Sequence, residues 1–190
     1  MEEDRERWDQ RYSSRLAGPA TAPEAPEALC LLDDVIIQQM PTRGLALDIG
    51  CGAGAQTLWL ARRGLRVVAL DVSPIAIGLT RSAAQEHRLV ERIDARVLDL
   101  DRGLPDDAMG AALVLCQRFR APGLYSEILD ALGAGGVAIV TVLSEVGRHG
   151  ASGEFHARPG ELVEAFSSDG LETLASSERA GIASIVIRRQ

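Results

Sequence analysis

Residues 45–55, LALDIGCGAGA, constrain the fold more than any other stretch of the chain. A short apolar run ends abruptly in a glycine-rich turn, and glycine lets a backbone turn tightly and approach a ligand closely. A helical pattern, AQTLWLARRG, follows and is closed by Gly64. Strand, glycine turn and helix in that order form the opening unit of an open α/β sheet, where ligands collect at the carboxyl ends of the strands. Gly50, Gly52 and Ala55 spell GxGxxA, which by itself reads as a dinucleotide fingerprint. Asp48, two residues before Gly50, opens a second reading with a different ligand.

The alternation continues downstream. RVVALDV is a second strand, and Ser73 caps a helix with Pro74 in its first turn that runs to about residue 89. IDARVLDL and AALVLC are the third and fourth strands. A helix over about 122–132 ends at GAGG, and VAIVTVL is the fifth strand. Residues 144–158 lack periodicity, PGELVEAFSSDG is a short helix, and LETLAS and IASIVIRR are close enough to pair antiparallel. Strands separated by helices imply a parallel sheet covered on both faces. Upstream, residues 1–16 are charged, with Trp8 and Tyr12 on one helical face. GPATAPEAPEA reads as a linker, and 27–40 as one helix stopped by Pro41. The expected division is an N-terminal cover and linker over 1–25 and one domain over 26–190.

A chain of 190 residues suits one domain with a proper core. No apolar run nears membrane-spanning length, and the start MEEDRERW is too charged for a secretory signal. Cys30, Cys51 and Cys116 have no CxxC spacing and cannot all pair, which fits a reducing compartment and gives no metal signature. Cytoplasmic residence is the expectation. A net charge of −7 without a basic run argues against nonspecific nucleic-acid binding.

Three acids at strand ends carry the functional reading. Asp48 would repel a pyrophosphate at the turn, but would suit a ligand with an ammonium group and no phosphate. It can also cap the turn locally. Asp71, about 20 residues on, stands where an acid takes ribose hydroxyls, or else where an acid precedes a capped helix. Asp99 in VLDLD can accept the exocyclic amine of adenine, with Leu100 against the ring, or be a turn residue.

With those residues in place, 44–143 resembles the core of a class I S-adenosylmethionine-dependent methyltransferase. LALDIGCGAGAQTLWLARRG and VVALDVSPIAI are similar to that family's first two motifs, and VLDLD to its third. The resemblance implies that Asp48 and the Gly50–Cys51–Gly52 backbone hold the methionine part, Asp71 with Val72 the ribose side, and Asp99 with Leu100 the adenine. It also implies a seven-stranded Rossmann-like sheet of order 3-2-1-4-5-7-6 ending in an antiparallel hairpin. WDQRY at 8–12 looks like the WDxRY start of small-molecule methyltransferases of the tellurite-resistance and thiopurine kind. There Trp8 and Tyr12 would help cover the cofactor; they can equally just anchor the helix. FHARPGEL at 155–162 resembles an F-x-x-R-P-G-E-L stretch of the tellurite-resistance-like branch, whereas FRAP at 119–122 matches that branch only at Arg120.

The acceptor side is less legible. Methyl transfer from a sulfonium has a good leaving group, so positioning and desolvation can suffice, and a base is needed only where the acceptor's proton must leave early. CQRFR at 116–120 stands where such enzymes face the transferred methyl, and lacks the Asn/Asp-Pro-Pro-Tyr/Phe pattern of adenine and glutamine methyltransferases. Cys116 there is a cofactor contact or a small packed residue. The 144–158 loop would hang over the acceptor edge, with His156 or His149 as base and Arg120 or Arg158 binding an anionic acceptor; a solvated loop is the plainer account. The short lid favours a small-molecule acceptor, taken by a monomer or homodimer. A nicotinamide-dependent oxidoreductase and a non-catalytic cofactor-binding protein are the competing classes. Asp48 and the lack of a Tyr-x-x-x-Lys pair count against the first, and the intact acids against the second.

Overall fold

The computed structural model describes residues 2–14, 21–148 and 153–190. One sheet contains strands β1 (Leu45–Ile49), β2 (Arg66–Asp71), β3 (Ile93–Val97), β4 (Ala111–Gln117), β5 (Leu132–Ser144), β6 (His156–Ala157), β7 (Leu171–Arg179) and β8 (Ile182–Arg189). The α-helices among the described residues are α1 (Glu2–Ser13), α2 (Asp34–Gln39), α3 (Ala55–Arg62), α4 (Pro74–Glu86), α5 (Tyr125–Ala131) and α6 (Glu161–Ala165). The strand order is β3-β2-β1-β4-β5-β8-β7, with β6 paired to β5 off this path. β1 to β5 are parallel, and β8 lies antiparallel between β5 and β7. With the two-residue β6 set aside, this is the expected order and the expected closing hairpin.

Alternating side chains of the central strands feed two cores. Val114 of β4 and Ala138 and Val140 of β5 enter one cluster, closed by Tyr125, Ile128 and Phe166. Leu113, Leu115, Val137 and Ile139 enter the other, under Leu29, Leu60 and Met40. Both faces are therefore dry, as a parallel sheet requires. β6 meets β5 at Leu143 and Ser144, where β8 still holds the opposite edge near Leu143 and β4 has already ended, its Gln117 paired with Thr141. It therefore prolongs the line of β4 beyond the carboxyl end of the sheet.

Four local expectations change. The helix expected over 27–40 is a 3-10 turn at Glu27–Leu31 and then α2. Asp33 divides them, because its side chain accepts from Ile36 N and starts a new helix. α4 stops at Glu86, where Arg88 takes a positive φ of 58°. β3 ends at Val97, so Asp99 lies in the following turn. The GAGG run does not end a helix; it opens β5, across a register shift against β4.

Candidate functional site

The reversal of strand order falls between β1 and β4, so the crevice at their carboxyl ends is the ligand position of such a sheet. The turn after β1 is tied to β2. Gly50 N and Cys51 N both donate to Leu70 O, at 2.9 and 3.0 Å, and Gly52 N donates to Asp71 Oδ2 at 2.9 Å. Three successive N–H groups are thus spent inside the protein. A pyrophosphate-binding turn needs such groups for its ligand. Gly50 and Gly52 have φ of 69° and 56°, and a Cβ on them would lie 2.9 Å from Phe119 and 2.5 Å from Tyr12 Oη.

Two of the three expected acids are buried beside this turn. Asp48 is 2% exposed and accepts the Thr57 hydroxyl at 2.5 Å. Burial pushes its carboxyl up to about 7, the Thr57 hydrogen bonds oppose this, and the Asp71 charge adds to it. Asp71, also buried, accepts from Gly52 N and from Ser73 N at 2.9 Å each. Burial raises its carboxyl too, against those N–H donors, and the charge of Asp9 contributes. Val72 between them is half-buried. Asp99 is half-buried and accepts from Asp101 N at 3.2 Å, so it caps its own turn, while Leu100 is packed into the core.

α1 roofs the crevice. Trp8 and Tyr12 stack with ring centroids 6.1 Å apart, and Tyr12 reaches Gly52. Asp9 Oδ1 accepts the Ser73 hydroxyl at 2.5 Å. Arg7 lies over the Phe155 ring at 4.6 Å, so one helix touches the glycine turn, the start of α4 and the loop after β5. Asp9 escaped the sequence reading, although it stands inside WDQRY.

On the acceptor side Cys116 is buried, its Sγ donates to Phe119 O at 3.1 Å, and burial pushes its thiol up to about 12. Arg118 takes a positive φ of 57°, which turns the chain so that Phe119 covers Gly50. Arg120 is held by Glu161 through Nε at 2.8 Å and Nη2 at 2.7 Å, and its Nη1 donates to Glu154 O at 2.7 Å. Tyr125 donates to the same Glu161 at 2.9 Å. Arg158 is exposed and paired with Glu164. Both arginines proposed for an acceptor therefore have carboxylate partners of their own. His156 sits on β6 with Arg148 Nη1 2.7 Å from its Nε2, and its Nδ1 lies 3.2 Å from Gly153 N and 3.3 Å from Gly153 O. His149 lies outside the described residues. Glu161 and Tyr125 were missed: their partners lie 41 and 36 residues away in sequence, and only the Glu in FHARPGEL pointed there.

Two open grooves lie at the opposite end of the sheet, around Thr42 and Gly135 and around Arg66 and Ile93, and neither touches these acids. The family described as "Methyltransferase domain" matches residues 46–136, which contain the turn and all three acids. Residues 46–136 are therefore similar to a methyltransferase domain. The chain is 33% identical over 124 residues to a probable cobalt-precorrin-6B C(15)-methyltransferase (decarboxylating) of Methanothermobacter thermautotrophicus, covering 64% of this chain and 62% of that protein. The chain thus spans less than two thirds of that relative's length. In fold, it is similar to TehB from Haemophilus influenzae, with a TM-score of 0.68 at 17% identity, covering 82% of this chain and 61% of that one. It is also similar to a geranyl diphosphate C-methyltransferase from Streptomyces coelicolor A3(2), with a TM-score of 0.66 at 15% identity, covering 100% and 96%. That structure contains Mg2+, geranyl diphosphate and S-adenosyl-L-homocysteine.

The acids beside the turn fit S-adenosylmethionine as a ligand. Asp48 is a buried carboxylate whose charged neighbour is another carboxylate, an arrangement that an ammonium group relieves. The Gly50, Cys51 and Gly52 N–H groups are spent within the protein, so the turn offers none of them to a phosphate.

Proposed function

We propose that the chain transfers a methyl group from S-adenosylmethionine to a small-molecule acceptor, releasing S-adenosylhomocysteine. The observation that carries this is the turn after β1: its three N–H groups are engaged internally, and two buried acids flank it. That chemistry disfavours a dinucleotide and favours a cationic nucleoside ligand.

In this reading Asp48 and the Gly50–Cys51–Gly52 backbone hold the methionine end. Asp71 and Val72 hold the ribose side, and Asp99 and Leu100 the adenine. Trp8 and Tyr12 close the site against water. Bound there, the cofactor supplies an electrophilic methyl on a good leaving group. Cys116 and Phe119 shape the floor on which the acceptor approaches, and the protein's part is to align the acceptor and exclude water. His156 lies against Arg148 and Gly153 within its own loop, which favours acceptors such as thiols and acids that need no early deprotonation. Three free cysteines suit a reducing, cytoplasmic setting, and among the described residues no helix is long and apolar enough to cross a membrane. The cover over 1–25 and the domain over 26–190 act as one unit, as a monomer or homodimer.

Calorimetric titration with S-adenosylmethionine and S-adenosylhomocysteine tests the reading, with NADH as control and Asp71→Ala alongside. Micromolar binding of the first two that the variant loses is the expected result. A folded chain that binds neither would sink it.

A further inference from the structure

The roofing helix brings another carboxylate to the crevice. Asp9 Oδ1 lies 2.5 Å from the Ser73 hydroxyl, across 64 residues of sequence. Ser73 is fully buried, and its Oγ already accepts from Ala76 N at 3.1 Å as the cap of α4. A hydroxyl has one proton to give, and here it goes to Asp9. The Ser73 backbone N–H goes to Asp71 Oδ1 at 2.9 Å. Asp9 and Asp71 therefore share one serine and stand together at the corner where β2 meets α4. Neighbouring carboxylates repel unless donors face them. Each Asp71 oxygen holds one backbone N–H and can accept again. A ribose offers two adjacent hydroxyl donors, one for each acid.

We infer that Asp9 is a cofactor-binding residue: with Asp71 it stands at the ribose corner and accepts one of the two ribose hydroxyls. This makes α1 a liganding element, beyond a cover. The inference rests on the S-adenosylmethionine reading above. Tyr12 supports it: three residues from Asp9 and on the same helical face, it reaches Gly52. The helix is thus registered against both ends of the site.

The bland account is that Asp9 only pins α1 to Ser73. Asp9→Asn separates the two, because the amide oxygen still accepts the serine hydroxyl while the charge is gone. The full chain, wild type and Asp9→Asn, is titrated calorimetrically with S-adenosylhomocysteine and its 2′-deoxy and 3′-deoxy derivatives. The substitution is expected to weaken S-adenosylhomocysteine about tenfold, the worth of one charge-assisted hydrogen bond. One of the deoxy derivatives is expected to bind both proteins equally, since the hydroxyl that Asp9 holds is absent from it. An equal loss for all three ligands, or no loss, overturns the inference and leaves the parent reading intact. No binding of S-adenosylhomocysteine to wild type overturns both.

Discussion

Asp48 shows what a buried acid costs the fold. Its carboxyl sits at about 7 against an ordinary 3.8 because burial penalises the charge. The folded chain then keeps a proton that the unfolded chain gives up, so stability falls as pH rises from about 4 to 7 and stays lowered above that. Asp48→Asn removes the titration and keeps an acceptor for Thr57. The variant should match wild type near pH 4 and exceed it by up to about 4 kcal/mol at pH 8, while losing cofactor binding. Thermal melts at both pH values check this, and a pH-independent difference would refute it. The acid itself was legible, because an aspartate interrupting LALDIG is conspicuous beside a glycine turn. Its partner Thr57 was not, since a threonine in a helical pattern carries no mark of which way it points. Asp99 shows the limit of such reading: the strand stops two residues early, and the side chain caps a turn.

At the scale of elements, the loop after β5 is fastened by two carboxylates, Glu178, which accepts from Ser144 Oγ and Gly160 N, and Glu161. Glu161 receives Arg120 from the far side of the crevice, Tyr125 from α5 and the backbone N–H of Arg158. Arg120 in turn holds the Glu161 carboxyl below the usual range. That stabilisation is present above the unfolded value near 4.5 and is lost as pH falls through the folded value. Glu161→Gln strands a guanidinium that is 21% exposed, so the loss should be about 2–3 kcal/mol, short of the cost for a fully buried charge. Urea denaturation measures it, and an Arg120→Met/Glu161→Met double variant, which strands nothing, should lose less. Helices and strands were legible here from period and caps, as with Ser73 before Pro74. The pairing of FRAP with FHARPGEL was not, because an ion pair across 41 residues leaves no periodic trace.

For the whole molecule, the sequence alone supported alternation and a final hairpin, and the strand order came from family likeness, since spacing does not say which strands are neighbours. The N-terminal helix tests how much of the molecule the sheet needs. None of the described side chains of α1 is buried, so its removal takes little from either core. A chain beginning at residue 26 should still unfold cooperatively, with a melting temperature within about 5 °C of the full chain, yet bind S-adenosylhomocysteine at least tenfold more weakly. A truncated chain that binds as well as the full one would detach α1 from the site. The three thiols then supply a clock. Cys30 is open to solvent, whereas Cys51 in the turn and Cys116 at the floor are buried with their thiols pushed up, so neither reacts until the crevice parts. A chromogenic disulfide should label one thiol at once and two slowly, and the slow phase should lengthen when S-adenosylhomocysteine is added. Its rate would be the breathing frequency of the site, read without any dye, tag or engineered residue.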